Sequence, residues 1–409
     1  MSQKKKLGAI IFIPKSNFGQ LDAYIPFPVQ IAEEYKDAIR HFTLIINLDA
    51  RKNLKYSSFH KNILNHYGTV HDLEDWELKL KGFHLMSKFL YLVFLFAKIR
   101  FKFGRIIVFT DMGKRTFKSN IITKTIGLFA NIISFPSIQA PWNTLINDRF
   151  DPVKYQKAFT IDNGKIVQPI IAPKTSICYF EKEIPYYLSK FPKTTFVPIG
   201  LPRLYKHWPL AKEVFAKKLI EQEFHSHGLD VATPKIVVLI ASNPEYFWVP
   251  SIKVYFELVE GAIKAIRQSD SNIPIFISLK SKLIVKFKHY FENVLSFENI
   301  FFSQAPLVVL SSRTKFALSI YESSGVYEFL SSNIPCAEYS QYSSQWLETY
   351  DTQSAWADEP EFQVFSDFKA LNKFIFEVFK EGHRCKSRIK LVEHYKHFYD
   401  ENILDKITK

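Results

Sequence analysis

The part of this sequence best supplied with groups that could do chemistry is YESSGVYEFLSSNIPCAEY, residues 321 to 339. Ser323, Ser324 and Gly325 fall between a predicted strand and a predicted helix. Backbone amides and the helix dipole at such a terminus attract an anion, typically a phosphate. The two hydroxyls can add donors, and the glycine lets a ligand come close to the backbone. Glu328 lies one turn into the helix, where a carboxylate can accept from paired sugar hydroxyls. The same residues also read as a plain serine N-cap followed by a solvated glutamate near the positive end of the helix.

Other candidates sit at similar places. ASNPEYFW, residues 241 to 248, follows a predicted strand; Ser242 and Asn243 could hydrogen-bond a phosphate or a sugar, and Glu245 could act as nucleophile or base. Asp111, in FTDMGKR, also follows a strand. A base beside an acceptor hydroxyl suits an inverting transfer, and a carboxylate nucleophile suits a double displacement. The sequence does not choose between Glu245 and Asp111, and each also reads as an ordinary loop carboxylate. Lys280 and Lys282, in KSK after another strand, could neutralise charge on a leaving nucleotide or simply be solvated. In the first half the matching loop is PKSNFGQLDAY at 14 to 24, which places Ser16, Asn17 and Asp22 on the acceptor side. No CxxC or HxxxH pair points to zinc, and no metal site is expected. The absence of a Walker loop or a GxGxxG weakens kinase, ATPase and dehydrogenase readings.

Short apolar runs alternating with longer helical patterns must position these groups, the signature of an α/β chain with parallel sheets. The first half offers strands at 8–13, 42–48, 105–110, 176–180 and 195–199, with helices over FPVQIAEEYKDAI and near 83 to 103. A Gly/Pro turn at 200 and a charged amphipathic helix then read as a connection. A second series follows, with strands at 235–241, 273–279, 299–302, 316–321 and 334–339, and helices over 251–267 and from about 281. The segment 366 to 406 is strongly helical. The expected architecture is two Rossmann-like doubly wound domains, 1–205 on the acceptor side and 206–385 on the donor side, closed by a C-terminal helix at 386–409. Ligands of such sheets bind beyond the carboxyl ends of the strands.

Three stretches resemble GT-B glycosyltransferases of bacterial surface-polysaccharide (capsule or lipopolysaccharide) biosynthesis. The order Ser323-Ser324, Glu328, then Asn333-Ile334-Pro335 resembles their donor segment, with Asn333 where a glycine is usual. FVPIGLPRLYKHW, at 196 to 208, resembles their strand-to-linker segment through Gly200, Pro202 and Arg203, with Lys206 near the place of a customary acidic residue. KSK lacks the His-Pro common in relatives. The resemblance implies two domains facing a cleft and a metal-independent transfer from a nucleotide sugar, with no other cofactor. Ser323, Ser324, Gly325 and Glu328 would hold the donor with help from Lys280 and Lys282. It also implies a glycan or lipid-linked glycan acceptor. CMP-linked Kdo, sialic or pseudaminic acid is slightly favoured as donor over a UDP- or GDP-hexose. A non-hydrolysing sugar-nucleotide epimerase shares the fold and is the rival enzyme. A glycan- or nucleic-acid-binding protein without activity is the rival from another class.

Composition agrees with an anionic small substrate. The 409 residues carry 54 Lys and Arg against 40 Asp and Glu, a net charge of +14 spread along the chain without a long basic tail. This fits a polyanion groove or, equally, a phosphate-bearing donor with a lipid-linked acceptor, and nucleic acid is not the expected partner. The three cysteines, Cys178, Cys336 and Cys385, are far apart and read as reduced thiols of a cytoplasmic protein. The apolar run FLYLVFLFAK at 89 to 98 is about half of the ~20 residues a bilayer span needs. From Lys81 to Phe109 there is no acidic residue, while Lys88, Lys98, Arg100, Lys102 and Arg105 interleave with Phe, Leu and Tyr. That pattern reads as a buried helix and strand, or as peripheral attachment to the inner face of a bacterial inner membrane.

Overall fold

The computed structural model describes residues 7–13, 25–37, 39–46, 58–72, 84–111, 126–128, 130–135, 175–178, 192–230, 235–246, 248–279, 281–294, 296–323, 325–350 and 361–380, with isolated positions elsewhere. The chain divides into two compact units, and among the described residues the division falls between Ala211 and Lys212.

The first unit is built on a seven-stranded sheet in the order β3-β2-β1-β4-β5-β6-β7. Its strands are β1 (Leu7–Ile13), β2 (Ile39–Ile46), β3 (Thr69–Asp72), β4 (Ile106–Asp111), β5 (Asn131–Phe135), β6 (Thr175–Cys178) and β7 (Thr195–Pro198). Every pairing is parallel. Helices α1 (Pro26–Glu34), α2 (Ser58–Tyr67) and α3 (His84–Phe103) supply crossovers. The central strand lies close against the turn before β4: Ala9 N donates to Arg105 O at 2.8 Å. A Cβ on Gly8 would stand 1.8 Å from that oxygen, so only glycine fits there. Leu92, Leu95, Phe96 and Ile99 of α3 pack on Ala9, Ile11, Ile106 and Val108. At the carboxyl end Phe12 stacks on Phe109 at 4.7 Å.

After β7, Gly200 turns the chain with a left-handed φ of 71°. Pro202 starts a short 3-10 turn, Pro202–Leu204, and Tyr205 donates to Ile199 O at 2.6 Å. The long helix α4 (His207–Ser226) follows, and the division between units falls inside it.

The second unit carries six parallel strands in the order β10-β9-β8-β11-β12-β13. They are β8 (Ile236–Ala241), β9 (Ile275–Ser278), β10 (Ile300–Ser303), β11 (Thr314–Ile320), β12 (Cys336–Tyr339) and β13 (Phe362–Phe365). Its helices are α5 (Ile252–Ser269), α6 (Ser281–Lys286), α7 (Lys288–Val294), α8 (Leu307–Leu310), α9 (Val326–Leu330), α10 (Ser344–Tyr350) and α11 (Phe368–Lys380). Ser251 caps α5 by accepting from Val254 N at 3.2 Å. Tyr255, Phe256, Leu258, Val259, Ala262, Ile263, Ala265 and Ile266 then recur at helical spacing and are buried on the sheet.

In each unit the first strand is central, and the order counted within the unit runs 3-2-1-4-5-6. That is the doubly wound arrangement, whose crevice opens where the order reverses, between strands 1 and 4. The protein is thus an α/β chain with two Rossmann-like sheets, as the sequence predicts. All ten expected strands are present. The short edge strands β3 and β13, and β5, add to them. The helix expected over 27–39 ends at Glu34 because the chain already enters β2 at Ile39. Of the helical pattern predicted for 366–406, the stretch Phe368–Lys380 forms α11, and the rest, with the helix expected at 386–409, lies outside the described residues apart from Lys390. Cys178 and Cys336 are buried thiols, and Cys385 lies outside the described residues.

Candidate functional site

The reversal point of the second sheet lies between β8 and β11, which pair in register from Phe316 opposite Val237 to Ile320 opposite Ala241. The two loops that leave these carboxyl ends carry the candidate residues 242–245 and 322–325. They are tied together: Ser242 Oγ donates to Glu322 O at 2.9 Å, and Tyr255 OH donates to Ser242 O at 2.8 Å. Ser242, Asn243 and Ser323 are each partly exposed. This is where a doubly wound sheet meets its ligand.

One residue bends the chain into this arrangement. Tyr321, directly after β11, has a left-handed φ of 61° although its ring is fully buried. A bulky side chain in that region costs about 1–2 kcal/mol. Tyr321 is held there from several sides: its OH donates to Gln341 O at 2.8 Å, its N donates to Tyr339 O at 3.3 Å, and its carbonyl accepts from Ser319 Oγ. Local strain so firmly imposed is typical of binding and catalytic loops.

The Ser-Ser-Gly segment itself is organised locally. Gly325 N donates to Ser323 Oγ at 3.2 Å, and Val326 N donates to Ser323 O at 3.2 Å. Gly325 is buried, and a Cβ there would come within 2.3 Å of Leu307 Cδ1. Among the described residues, the amides of Gly325 and Val326 are therefore engaged by Ser323, whose own side chain is partly exposed. Ser324 lies outside the described residues. Glu328 is only 1% exposed, inside the five-residue helix α9, and is not a solvated first-turn carboxylate. Its carbonyl accepts from Ser332 Oγ at 2.8 Å, Ser331 Oγ at 3.1 Å and Lys212 Nζ at 3.5 Å. The helix closes on Asn333, whose φ is 56°. Ile334 N donates to Phe329 O at 3.0 Å and Asn333 N to Leu330 O at 3.1 Å, a Schellman closure in which asparagine takes the usual place of glycine.

Glu245 lies on the exposed rim of the neighbouring loop, where its carboxylate pairs with Lys286 Nζ and its N donates to Asn243 Oδ1 at 3.2 Å. Asp111 ends β4 in the other unit, and its side chain lies outside the described residues. Lys282 is in α6 without a described side chain. Lys280, Ser16, Asn17 and Asp22 lie outside the described residues. No cluster of three or more His, Cys, Asp or Glu able to hold a metal occurs among the described residues.

Two carboxylates that the sequence reading passed over stand at this same end of the sheet. Glu322, 6% exposed, follows Tyr321. Glu338 is fully buried in β12, opposite Ser319 of β11. Its oxygens accept from Ser340 Oγ at 2.6 Å, Tyr342 OH at 2.7 Å and Ser354 Oγ at 2.8 Å. Burial pushes the Glu338 carboxyl up to about 7, against the pull of those three hydroxyl donors. Burial and the two carboxylates Glu338 and Glu322 hold the Tyr342 phenol well above its ordinary range. Aromatic rings roof the group: Tyr246 lies 4.2 Å from Trp248, Trp248 lies 5.5 Å from Trp346, and Trp346 stacks on Tyr342 at 5.0 Å. A glutamate inside the apolar run Ile-Pro-Cys-Ala-Glu-Tyr was the available signal for Glu338.

No family model and no curated protein matches the sequence. Solved structures do. A Listeria monocytogenes protein assigned as a UDP-N-acetylglucosamine 2-epimerase aligns with a TM-score of 0.51 at 10% identity, over 95% of this chain and 91% of its own. The Staphylococcus aureus MnaA–UDP co-structure aligns with a TM-score of 0.51 at 13% identity, over 98% and 95%. Glycosyltransferase VinC in complex with dTDP aligns with a TM-score of 0.43 at 10% identity, over 98% of both chains. The first two likenesses, together with the two sheets and their strand order, establish the chain as an α/β protein of the two-sheet GT-B fold.

Proposed function

We propose that this protein is a nucleotide-sugar enzyme whose donor binds at the reversal point of the second sheet, and that its reaction is glycosyl transfer. One observation carries the reading: the loops leaving β8 and β11 are joined by the Ser242–Glu322 hydrogen bond at the place where a doubly wound sheet takes its ligand. Asn243 and Ser323 would donate to the phosphate, Ser242 would hold the two loops together by giving its one proton to Glu322 O, and Glu328 would take the ribose hydroxyls as the resemblance of the 323–335 segment implies. Lys280, Lys282 and Ser324 would assist. The left-handed Gly200 and Asn333 agree with the two turns on which the transferase resemblance rests. Transfer would use a carboxylate base, with Glu245 and Asp111 as the candidates, and Ser16, Asn17 and Asp22 on the acceptor side.

A uridine nucleotide is the first donor to test, because the S. aureus structure of the same fold is a UDP complex. A CMP-linked acidic sugar, the donor first expected from sequence, and a bacterial surface glycan as acceptor complete the proposal as narrower versions of it. The L. monocytogenes likeness favours one second reading, epimerisation of a sugar nucleotide.

The test is a titration of UDP, dTDP, GDP and CMP against thermal stability. A nucleotide at a hundred times its Kd adds about 2.7 kcal/mol to the folded state. Ser323→Ala should weaken that shift while leaving the unliganded melting temperature within a few degrees, since Ser323 is partly exposed. If no nucleotide raises the melting temperature, the reading is wrong. Incubating the preferred nucleotide sugar without acceptor then separates the reactions: a change in the sugar's stereochemistry marks an epimerase, and an unchanged sugar leaves transfer standing.

A further inference from the structure

Helix α3 carries two apolar faces where a globular domain needs one. Leu92, Leu95, Phe96 and Ile99 face the core. Leu90, Phe94 and Phe101 are 58%, 65% and 92% exposed. At about 100° per residue, Leu90, Phe94, Ala97 and Phe101 fall within an arc of about 60°, directly opposite the core face. The stripe is about 17 Å long at 1.5 Å per residue. Cations flank it on both sides: Lys98 and Lys102 lie on one edge and Arg100 on the other, all three exposed. Arg100 also donates to Gly104 O at 3.1 Å, which closes the end of the helix. No acidic residue occurs from Lys81 to Phe109.

We propose that this face of α3 docks on an anionic lipid surface. Scattered apolar residues on a protein surface need no explanation, but three large ones on one helical line do. An apolar stripe edged by lysines and arginines has the form of an interfacial helix: the rings enter the boundary between headgroups and acyl chains, and the long cationic side chains reach back to lipid phosphates. A protein partner would equally cover the rings. What selects lipid is the charge, because a strip of cations without one counter-charge on the same element complements a surface of uniform negative sign. Lys88 lies on the same helix, although its side chain is outside the described residues. The helix is not a membrane span; no described helix is long and apolar enough for that. The proposal stands independently of the reaction this protein performs.

The experiment is sedimentation of the full chain with vesicles of phosphatidylglycerol mixed into phosphatidylcholine, against vesicles of phosphatidylcholine alone. The intact protein should sediment with the mixed vesicles at low salt and be released at high salt. Phe94→Ser with Phe101→Ser should lower partitioning at least about tenfold. Lys98→Gln with Lys102→Gln should lower it about fivefold per lysine. All four positions are exposed, so the variants keep the fold, checked by circular dichroism. Equal binding to both vesicle types overturns the proposal, as does absence of binding or retention by both variants. A fall in solution molar mass on Phe94→Ser would also overturn it, since the face would then join two copies of the chain.

Discussion

Replacing Glu338 by glutamine should change how the stability of this protein depends on pH. Fully buried, the Glu338 carboxyl is raised from 4.5 to about 7. Below pH 4.5 the folded and unfolded chains both hold the proton, so ionisation contributes nothing. Between 4.5 and 7 the unfolded chain releases it while the folded chain keeps it, and stability falls as pH rises. Above 7 the loss is complete. At about 1.4 kcal/mol per pH unit, a rise of some 2.5 units makes that loss about 3 kcal/mol. Glutamine does not ionise, and its carbonyl can still accept from Ser340 and Tyr342 while the Ser354 hydroxyl rotates to accept from the amide. Urea unfolding followed by tryptophan emission, with Trp248 and Trp346 close by, gives the comparison at each pH. The stability of Glu338→Gln minus that of the parent should climb by about 3 kcal/mol between pH 4.5 and about pH 8. A difference that stays flat over this interval would refute the reasoning, because Glu338 would then be ionising freely within the fold.

Gly325→Ala should cost about 1–3 kcal/mol, since the new methyl meets Leu307 Cδ1 at 2.3 Å, and Leu307→Ala in the same chain should recover part of that loss; strictly additive effects in denaturant would exclude the clash. Ser354→Ala removes one donor to Glu338 and should push its carboxyl further up, moving the foot of the pH–stability curve to higher pH. Lys286→Ala breaks an exposed pair with Glu245 and should shift unfolding by no more than about 0.5 kcal/mol. If Glu245 is the base, Glu245→Gln should abolish turnover with equally little effect on stability. A variant that keeps turnover assigns the base elsewhere.

The fold was legible because each strand of the second unit is a short apolar run bounded by polar or turn residues. The strand β8, IVVLIA, is buried at every position and reads as central from sequence alone. Edge strands were harder: TVHD in β3 carries a histidine and an aspartate, and FQVF in β13 is only four residues long. Left-handed backbone was readable at Gly200 and Asn333, where the residue type announces the conformation. Tyr321 was not, because tyrosine has no propensity for that region and only its tertiary partners hold it there. Glu328 shows the same gap in another form. Its position at the head of a helix allowed either a carboxylate open to sugar hydroxyls or a solvated one, and neither reading gives its 1% exposure, because burial is set by packing that local pattern does not encode. Glu338 was not legible because its hydroxyl partners Tyr342 and Ser354 come from beyond the strand and no local pattern brings them together.

The central place of β8 sets an order on the making of this protein. Ile236–Ala241 emerges first among the strands of its sheet, yet it pairs on one side with β9 and on the other with Thr314–Ile320. A ribosome must therefore release more than seventy further residues, plus those its exit tunnel still conceals, before the innermost strand has both neighbours. During that interval an unbroken oily ribbon stays half unpaired, and its protection falls to whatever chaperone meets the growing chain.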